Sequence, residues 1–147
     1  MRSVFRYTLK DDRGVSAIEF AIISPIMLTI LMGIIQFGIA MNQYLNLTNA
    51  VAQGALTLAL ARGTTTPYSS TTSAIAAAAP NLVAASTTIT VRINGVACST
   101  DSTCAAALVA GQPALVQATY PCNLTVMGIN YAPNGCNLSA QMAQMIQ

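Results

Sequence analysis

The sequence predicts an α+β protein: one long N-terminal helix, with a transmembrane half and an amphipathic half, packed on a small, mostly antiparallel β-sheet domain with two disulfides. Three observations lead to this prediction. An uncharged apolar run of 22 residues lies near the N-terminus, at 20–41. Polar and apolar residues then recur with an α-helical period as far as residue 62. Short β-branched segments and four cysteines follow.

The apolar run is long enough to cross a membrane. Residues Phe20–Met41 are interrupted only by the small or neutral Ser24, Thr29 and Gln36. At a rise of ~1.5 Å per residue the run measures about 33 Å, and a hydrocarbon core is about 30 Å thick. Pro25 lacks the N–H that would bond to the carbonyl four residues earlier, so we expect a helix kink there. Residues 15–41 are therefore predicted as the transmembrane helix.

A basic leader of 14 residues precedes the helix and holds four of the six Lys and Arg residues of the chain: Arg2, Arg6, Lys10 and Arg13. Basic residues beside a membrane segment stay in the cytoplasm, so the C-terminal part is expected in the periplasm or outside the cell. An ordinary secretory signal is cut beyond its apolar stretch. Here we expect the cut on the charged side of the apolar stretch.

Residues 42–63 are predicted to continue the helix as an amphipathic segment. Its polar residues recur at spacings of 4, 3, 4 and 4, and its apolar residues at 3, 4, 4 and 3. The two series are Asn42, Asn46, Asn49, Gln53 and Thr57, and Tyr44, Leu47, Val51, Ala55 and Leu58. Gly63 and the following Thr64–Pro67 end the pattern. One helix from Ser16 to Arg62 would span ~70 Å.

The remaining residues, 64–147, predict a small α+β domain. Its expected elements, in order, are a loop at 64–73, an alanine-rich helix at Ala74–Ala85 interrupted at Pro80-Asn81, a strand at Thr87–Ile93 ending in the Asn94-Gly95 turn, a polar loop at Cys98–Cys104, a helical turn at Ala105–Ala110, strands at Leu115–Tyr120 and Leu124–Ile129, and a turn at Asn134-Gly135. The final segment, Leu138–Ile146, fits either a strand or a short amphipathic helix, and we slightly favour the strand.

All four cysteines, Cys98, Cys104, Cys122 and Cys136, follow the membrane segment. An even number in an oxidising compartment predicts two disulfides. Three pairings are possible, and we expect the nearest-neighbour one, Cys98–Cys104 and Cys122–Cys136. Zinc is the alternative, but the spacings of five and thirteen intervening residues match no zinc knuckle or ribbon, and the chain has no histidine.

Composition argues against several classes of function. The chain is 54% hydrophobic and 7% charged, and beyond Glu19 its charged side chains are Arg62, Arg92 and Asp101. No nucleophile–base pair can be assembled, so we expect no enzyme, no cofactor, no metal and no small-molecule substrate. Two arginines do not make a basic face, so we expect no nucleic-acid partner. The weakly charged surface fits either a Thr/Ser/Asn-coated secreted domain or a surface covered by neighbouring subunits.

The stretch Gly14–Ala21, followed by Pro25 and by Gln36–Gly38, resembles the pilin and pseudopilin class. It is most similar to the TadE-like pseudopilins of the tight-adherence (Flp) pilus. The resemblance implies that a membrane-embedded aspartic prepilin peptidase cuts after Gly14 and makes Val15 the first residue of the mature chain. The motif covers about thirty residues, and the rest of the chain resembles the family only loosely.

Within that resemblance Glu19 becomes the fifth mature residue, and Phe20 stands where the family carries Tyr or Phe. Both are candidate assembly residues. The Glu19 carboxylate of one subunit could pair with the new α-amine of the next, which would offset the cost of a charge near lipid. The ordinary alternative is a capping box, because Ser16 and Glu19 have the spacing of one.

The resulting expectation is a minor pseudopilin in the bacterial inner membrane, with its N-terminus cytoplasmic and its C-terminal domain periplasmic, or extracellular within a pilus. Its expected partners are prepilin peptidase, other pilins or pseudopilins, the inner-membrane assembly platform and the lipid bilayer. Two alternatives stay open. One is a single-pass anchor that displays a periplasmic binding module, and the other is a minor pseudopilin of a type II secretion or competence system.

Overall fold

The computed structural model describes residues 12–122, 124–126, 128–132 and 136–147. In chain order the elements are α1 (Asp12–Ala59), α2 (Pro67–Ala78), a 3-10 turn (Ala84–Ser86), β1 (Thr88–Ile93), β2 (Val96–Cys98), α3 (Asp101–Ala107), β3 (Pro113–Pro121), β4 (Thr125–Val126), β5 (Ile129–Asn130) and β6 (Asn137–Met145). A long apolar helix thus precedes a small antiparallel sheet with two disulfides. The predicted α+β class is confirmed.

Helix α1 has 48 residues, a length of about 72 Å. It continues through Pro25, whose carbonyl accepts a hydrogen bond from the Thr29 hydroxyl at 2.8 Å. The predicted kink at Pro25 stays a prediction. The helix ends at Ala59 rather than at Arg62, because the chain turns into Gly63, whose φ of +80° is a left-handed conformation that glycine adopts without strain.

The two halves of α1 have different surroundings. Large apolar side chains of the first half (residues 16–41) are exposed on all sides. In the second half (residues 42–59) an apolar stripe is buried against the rest of the chain: Leu47, Ala50, Val51, Ala55 and Leu58. Successive positions of this stripe are three or four residues apart, except for the adjacent Ala50 and Val51, so they lie on one face of the helix. The domain therefore folds around the second half of α1.

Four strands form one antiparallel sheet in the order β2-β1-β3-β6. Alternate residues of β3 are buried, namely Ala114, Val116, Ala118 and Tyr120. Val116 pairs with Val91 of β1 on one side and with Met142 of β6 on the other. The small alanines allow α1 to lie close against β3 and β6. The middle of the opposite sheet face is polar, and there the Gln117 amide donates to the Ser139 hydroxyl.

Helix α2 begins at Pro67, so the loop predicted for residues 64–73 is wrong over its second part. Proline suits the first helical position because its fixed φ is helical and its missing N–H would have no partner there. The helix ends at Ala78 instead of continuing to Ala85. A proline at position 80 disfavours the helical conformation of the residue before it, which explains the early end.

Asp101 connects α2 to α3 across 32 residues of sequence. Its carboxylate accepts hydrogen bonds from the Ser69 backbone N–H, at 2.8 Å, and from the Ser69 hydroxyl. These hydrogen bonds hold the pKa of Asp101 below its ordinary value. Because the folded-state pKa is lowered, the contact favours folding above the ordinary pKa of about 3.8 and is lost as the pH falls through the lowered one.

A polar loop was predicted for Cys98–Cys104, but the second half of this segment, from Asp101, is helical. Helix α3 starts at Asp101, before the helical turn predicted for Ala105–Ala110. Its start has a capping box in which the Thr100 hydroxyl accepts from the Thr103 N–H at 3.3 Å. The Thr-Asp-Ser-Thr sequence supplies this cap, so the same polar residues that are typical of a loop here start a helix.

The strand predictions are confirmed for Thr87–Ile93 and Leu115–Tyr120, and the final segment is the strand rather than the helix. The expected turn carries Asn94 at φ +49° and Gly95 at φ +80°, and it leads into β2, which was not predicted. Instead of one strand at Leu124–Ile129, the short strands β4 and β5 form a separate hairpin. The predicted Asn134-Gly135 turn lies outside the described residues.

Gly54 determines how closely α2 packs against α1. A Cβ atom at this position would lie 2.4 Å from Cγ1 and 2.7 Å from Cδ1 of Ile75, whose side chain is buried. Real Cβ contacts are essentially never this short, so the two helices cross where only glycine leaves enough room. The crossing requires Gly54 although glycine is unfavourable within a helix.

We expect Gly54→Ala to destabilise the domain. Overpacking against Ile75 costs about 1–3 kcal/mol, and the better helix propensity of alanine returns only about 0.5–1 kcal/mol. Urea unfolding in detergent micelles measures the change. The matched test is a double-mutant cycle: Ile75→Ala should cost less in the Gly54→Ala protein than in wild type, because it removes the clash. Strictly additive effects would contradict the proposed contact.

Candidate functional site

The Gly14–Val15 peptide bond lies in α1, close to the first residue that the structure describes, Asp12. Cleavage at this predicted site would leave residues 15–59 of α1 in one piece. The apolar first half of the helix would therefore remain joined to the domain.

Glu19 and Phe20 lie on the exposed surface of α1, and the Phe20 side chain is 73% exposed. Glu19 is four residues from Val15, which places the two positions on one side of the helix, one turn apart. The capping-box alternative for Glu19 does not fit the uncleaved chain. There Ser16 follows the helical residues 12–15, whereas a capping residue precedes the first helical turn.

The first half of α1 offers a continuous apolar surface. Among the described residues, one helix is long and apolar enough to cross a membrane, Ser16–Ala59, with a mean hydropathy of 2.2 in its most apolar 18-residue window. No part of that window is buried within the protein. Such a helix is consistent with a single-pass membrane anchor.

One face of this half is partly covered by a feature that sequence reasoning missed. We call residues 122–136 the stapled hairpin; it contains β4 and β5. Residues of the hairpin and of α1 line a cleft of about 290 Å³ between them: Thr29, Gly33, Gln36 and Phe37 from the helix, and Leu124 and Tyr131 from the hairpin. On α1 the half-buried positions 33, 36, 40 and 43 follow at helical spacing. This covered face leads directly to the buried stripe that starts at Leu47.

The disulfides pair as predicted, Cys98–Cys104 with a Cα–Cα distance of 5.2 Å and Cys122–Cys136 with 5.5 Å. The first joins the end of β2 to α3. The second closes the base of the stapled hairpin, where the Cys122 N–H also donates to the Cys136 carbonyl at 3.2 Å. Closing a loop of 15 residues contributes ~3 kcal/mol in the chain-entropy model, a large share of a small domain's stability.

Zinc has no support in the part of the chain that the structure describes. Each cysteine is bonded to another, and no group of three or more potential ligands is found among the described residues.

A further cavity of about 370 Å³ lies between α1, α2 and β1. Its lining is apolar or hydroxylic: Leu47, Thr72, Ser73, Ile75, Ala76, Ala79, Leu82, Ala84, Thr87 and Ile89. None of these side chains titrates near neutral pH, so the cavity lacks acid–base chemistry.

The first half of α1 is apolar and largely exposed, and the second half carries a domain with two disulfides. This arrangement fits the class of single-pass membrane-anchored proteins. Residues 14–56 match the family model described as TadE-like protein. This finding confirms the resemblance drawn from the motif: the chain has a TadE-like segment that begins at Gly14, consistent with a TadE-like protein of the tight-adherence pilus system.

The TadE-like family is not an enzyme class. The match ends within the second half of α1, so residues 57–147, with both disulfides, lie outside it. Comparison with curated proteins and with solved structures gives no match.

Proposed function

We propose that this protein is a minor pseudopilin that takes part in assembling or initiating a tight-adherence pilus. The observation that carries the proposal is the TadE-like match over residues 14–56, which begins at the glycine expected to end the leader. In this proposal residues 1–14 are the leader, 15–41 cross the inner membrane, 42–63 extend the helix, and 64–147 form the periplasmic domain. Prepilin peptidase, other pilins and the assembly platform are its partners.

The division of α1 supports this role. A pilin-type subunit needs an apolar helix that can leave the bilayer and pack among other helices, and the first half of α1 is not held by its own domain except along the face beside the stapled hairpin. The domain keeps its fold independently of that half, because its core is built on the stripe from Leu47 to Leu58. Movement of the first half from lipid into a fibre would then leave the domain unchanged.

Glu19 has an electrostatic role in the proposal. An unpaired charge in the bilayer is unfavourable, by ~2.5–3.5 kcal/mol at the centre and by less at the edge. Cleavage after Gly14 creates an α-amine one helical turn away, at Val15. Pairing of this amine with the Glu19 carboxylate of a neighbouring subunit offsets the unfavourable charge and favours assembly over the isolated subunit.

The presence of a folded domain after the helix supports a minor subunit, because the main pilin of this family resembles little more than the helix alone. A plain anchor with a periplasmic binding module would keep its leader and would not need Gly14. A pseudopilin of a secretion or competence system would have the same leader chemistry but would belong to a different assembly machine. The neighbouring genes would distinguish the systems: a pilus ATPase, a secretin and a prepilin peptidase beside this gene would indicate the pilus.

Processing is tested with Gly14→Leu. A bulky side chain beside the scissile bond should block the enzyme, so intact-mass analysis of membrane extracts should find wild type beginning at Val15 and the variant at Met1. Gly38→Leu is the matched control, because a side chain at this glycine of α1 meets open space, and it should be processed normally. Wild-type protein that always begins at Met1 would leave only the plain anchor.

The assembly role of Glu19 is tested with Glu19→Gln, which keeps the shape and removes the charge. The variant should be inserted and cleaved as well as wild type, since a neutral amide is less costly in the membrane, yet pili on the cell surface should be lost. Glu19→Asp is the matched control, because it keeps the charge, and it should retain more pili than Glu19→Gln. Normal piliation by cleaved Glu19→Gln protein would refute the pairing role.

A further inference from the structure

A second apolar stripe runs along the side of α1 that faces away from the domain. Its positions recur at alternating spacings of 4 and 3 residues, which is the period of a coiled coil. We call it the outer stripe: Leu31, Ile35, Gly38, Leu45, Ala52 and Leu56, with Asn42 and Asn49 at the two remaining positions. Gly38 precedes the buried Leu47 by nine residues, or about 2.5 helical turns, so the outer stripe lies opposite the face that the domain covers.

The outer stripe stays apolar beyond the predicted membrane segment, 15–41. There Leu45 is 56% exposed and Leu56 is 44% exposed, and the polar Asn46 and Gln53 lie beside them on the helix surface. Lipid cannot cover leucines that lie outside the bilayer, and the domain packs on the opposite face. A narrow apolar stripe with polar flanks is typical of the seam between two coiled helices.

A second copy of the chain matches the outer stripe. Anchoring of α1 in a membrane makes all copies parallel and sets them at one depth, so that identical positions of two copies face each other. Asn49 then faces Asn49, and an amide side chain carries both donors and an acceptor, so it can pair with its own copy. An unlike partner would need matching polar groups at the levels of both Asn42 and Asn49. No Asp, Glu, Lys or Arg lies between Glu19 and Arg62, so two copies do not repel each other along the stripe.

We propose that two copies of this protein pair through the outer stripe as a parallel, in-register coiled coil that begins in the bilayer and continues beyond it to Leu56. The inference rests on the membrane anchoring of α1 and on no other part of the proposed function. Asparagine in such a seam specifies the register and the number of helices, at a cost in stability. Gly38 lets the two backbones approach, as small residues do between membrane helices. Glu19 lies about 100° round the helix from Gly38, so it stays available to a different neighbour.

Cysteine cross-linking of the full-length chain in isolated cell membranes tests the pairing. Like positions in the seam between two helices about 8–10 Å apart come within disulfide reach. Leu45→Cys and Leu56→Cys each place a thiol on the outer stripe. Their chain neighbours Tyr44→Cys and Thr57→Cys are the matched controls, because one residue turns the thiol by about 100° round the helix. Two differently tagged copies are produced together, so a homodimer on a non-reducing gel carries both tags.

We expect both outer-stripe variants to form several-fold more doubly tagged dimer than the two controls. Equal cross-linking at all four positions would indicate random collision, and cross-linking mainly to a protein of another mass would indicate a different partner; either result overturns the proposal. Flotation of the membranes in a density gradient checks the anchor separately. Protein that floats but does not cross-link through the stripe overturns the pairing alone. Protein that does not float overturns the membrane anchor and the pairing with it.

A charge exchange at Asn49 tests the register and the identity of the partner. In the Leu56→Cys protein, Asn49→Asp alone or Asn49→Lys alone places like charges opposite each other, so the dimer should fall several-fold. Producing the Asp and Lys variants together should restore a dimer that carries both tags, because opposite charges then face each other. A mixed pair that forms no more dimer than either variant alone would contradict in-register pairing of two copies.

Discussion

The structure depends on one constraint: the two halves of a single continuous helix must suit different surroundings, the folded domain for one half and an apolar medium outside the domain for the other. The second half of α1 supplies the stripe from Leu47 to Leu58 around which α2 and the sheet pack, while the first half keeps its apolar side chains exposed. Gly54 allows α2 to approach, and the alanines of β3 allow the sheet to approach. Burial of this stripe together with the side chains of α2 and the sheet that pack on it favours folding of the domain, because apolar burial dominates folding free energy.

The position of the domain along α1 follows from that packing. Strand β3 starts at the end of the domain near Ala59 and runs for nine residues, about 30 Å, to the stapled hairpin, which lies beside the first half of α1. The Cys122–Cys136 disulfide fixes the base of the hairpin at this level. The domain therefore contacts the first half of α1 along one face, through the stapled hairpin.

Local signals in the sequence predicted most of the fold but not its long-range contacts. Helical periodicity identified the stripe of α1, and alternation identified β1 and β3, because these patterns lie within a few residues. The start of α2 has a local signal in Pro67, whereas its contact with Asp101, 32 residues from Ser69, has none. The candidate site was likewise predicted as a motif, Gly14 to Phe20. Coverage of Gly33 and Gln36 by Tyr131 could not be predicted, because nothing local links residues a hundred positions apart.

The most direct measurement of the central claim compares two Leu→Ala substitutions in the same helix. Leu58 is fully buried and Leu31 is 54% exposed. The free energy of unfolding of the domain is measured by urea titration in detergent micelles, followed by tyrosine fluorescence. Leu58→Ala should lower it by about 2–5 kcal/mol, and Leu31→Ala should change it by no more than about 0.5 kcal/mol. Equal losses at both positions would show that the domain depends on the whole helix and would contradict the division of α1.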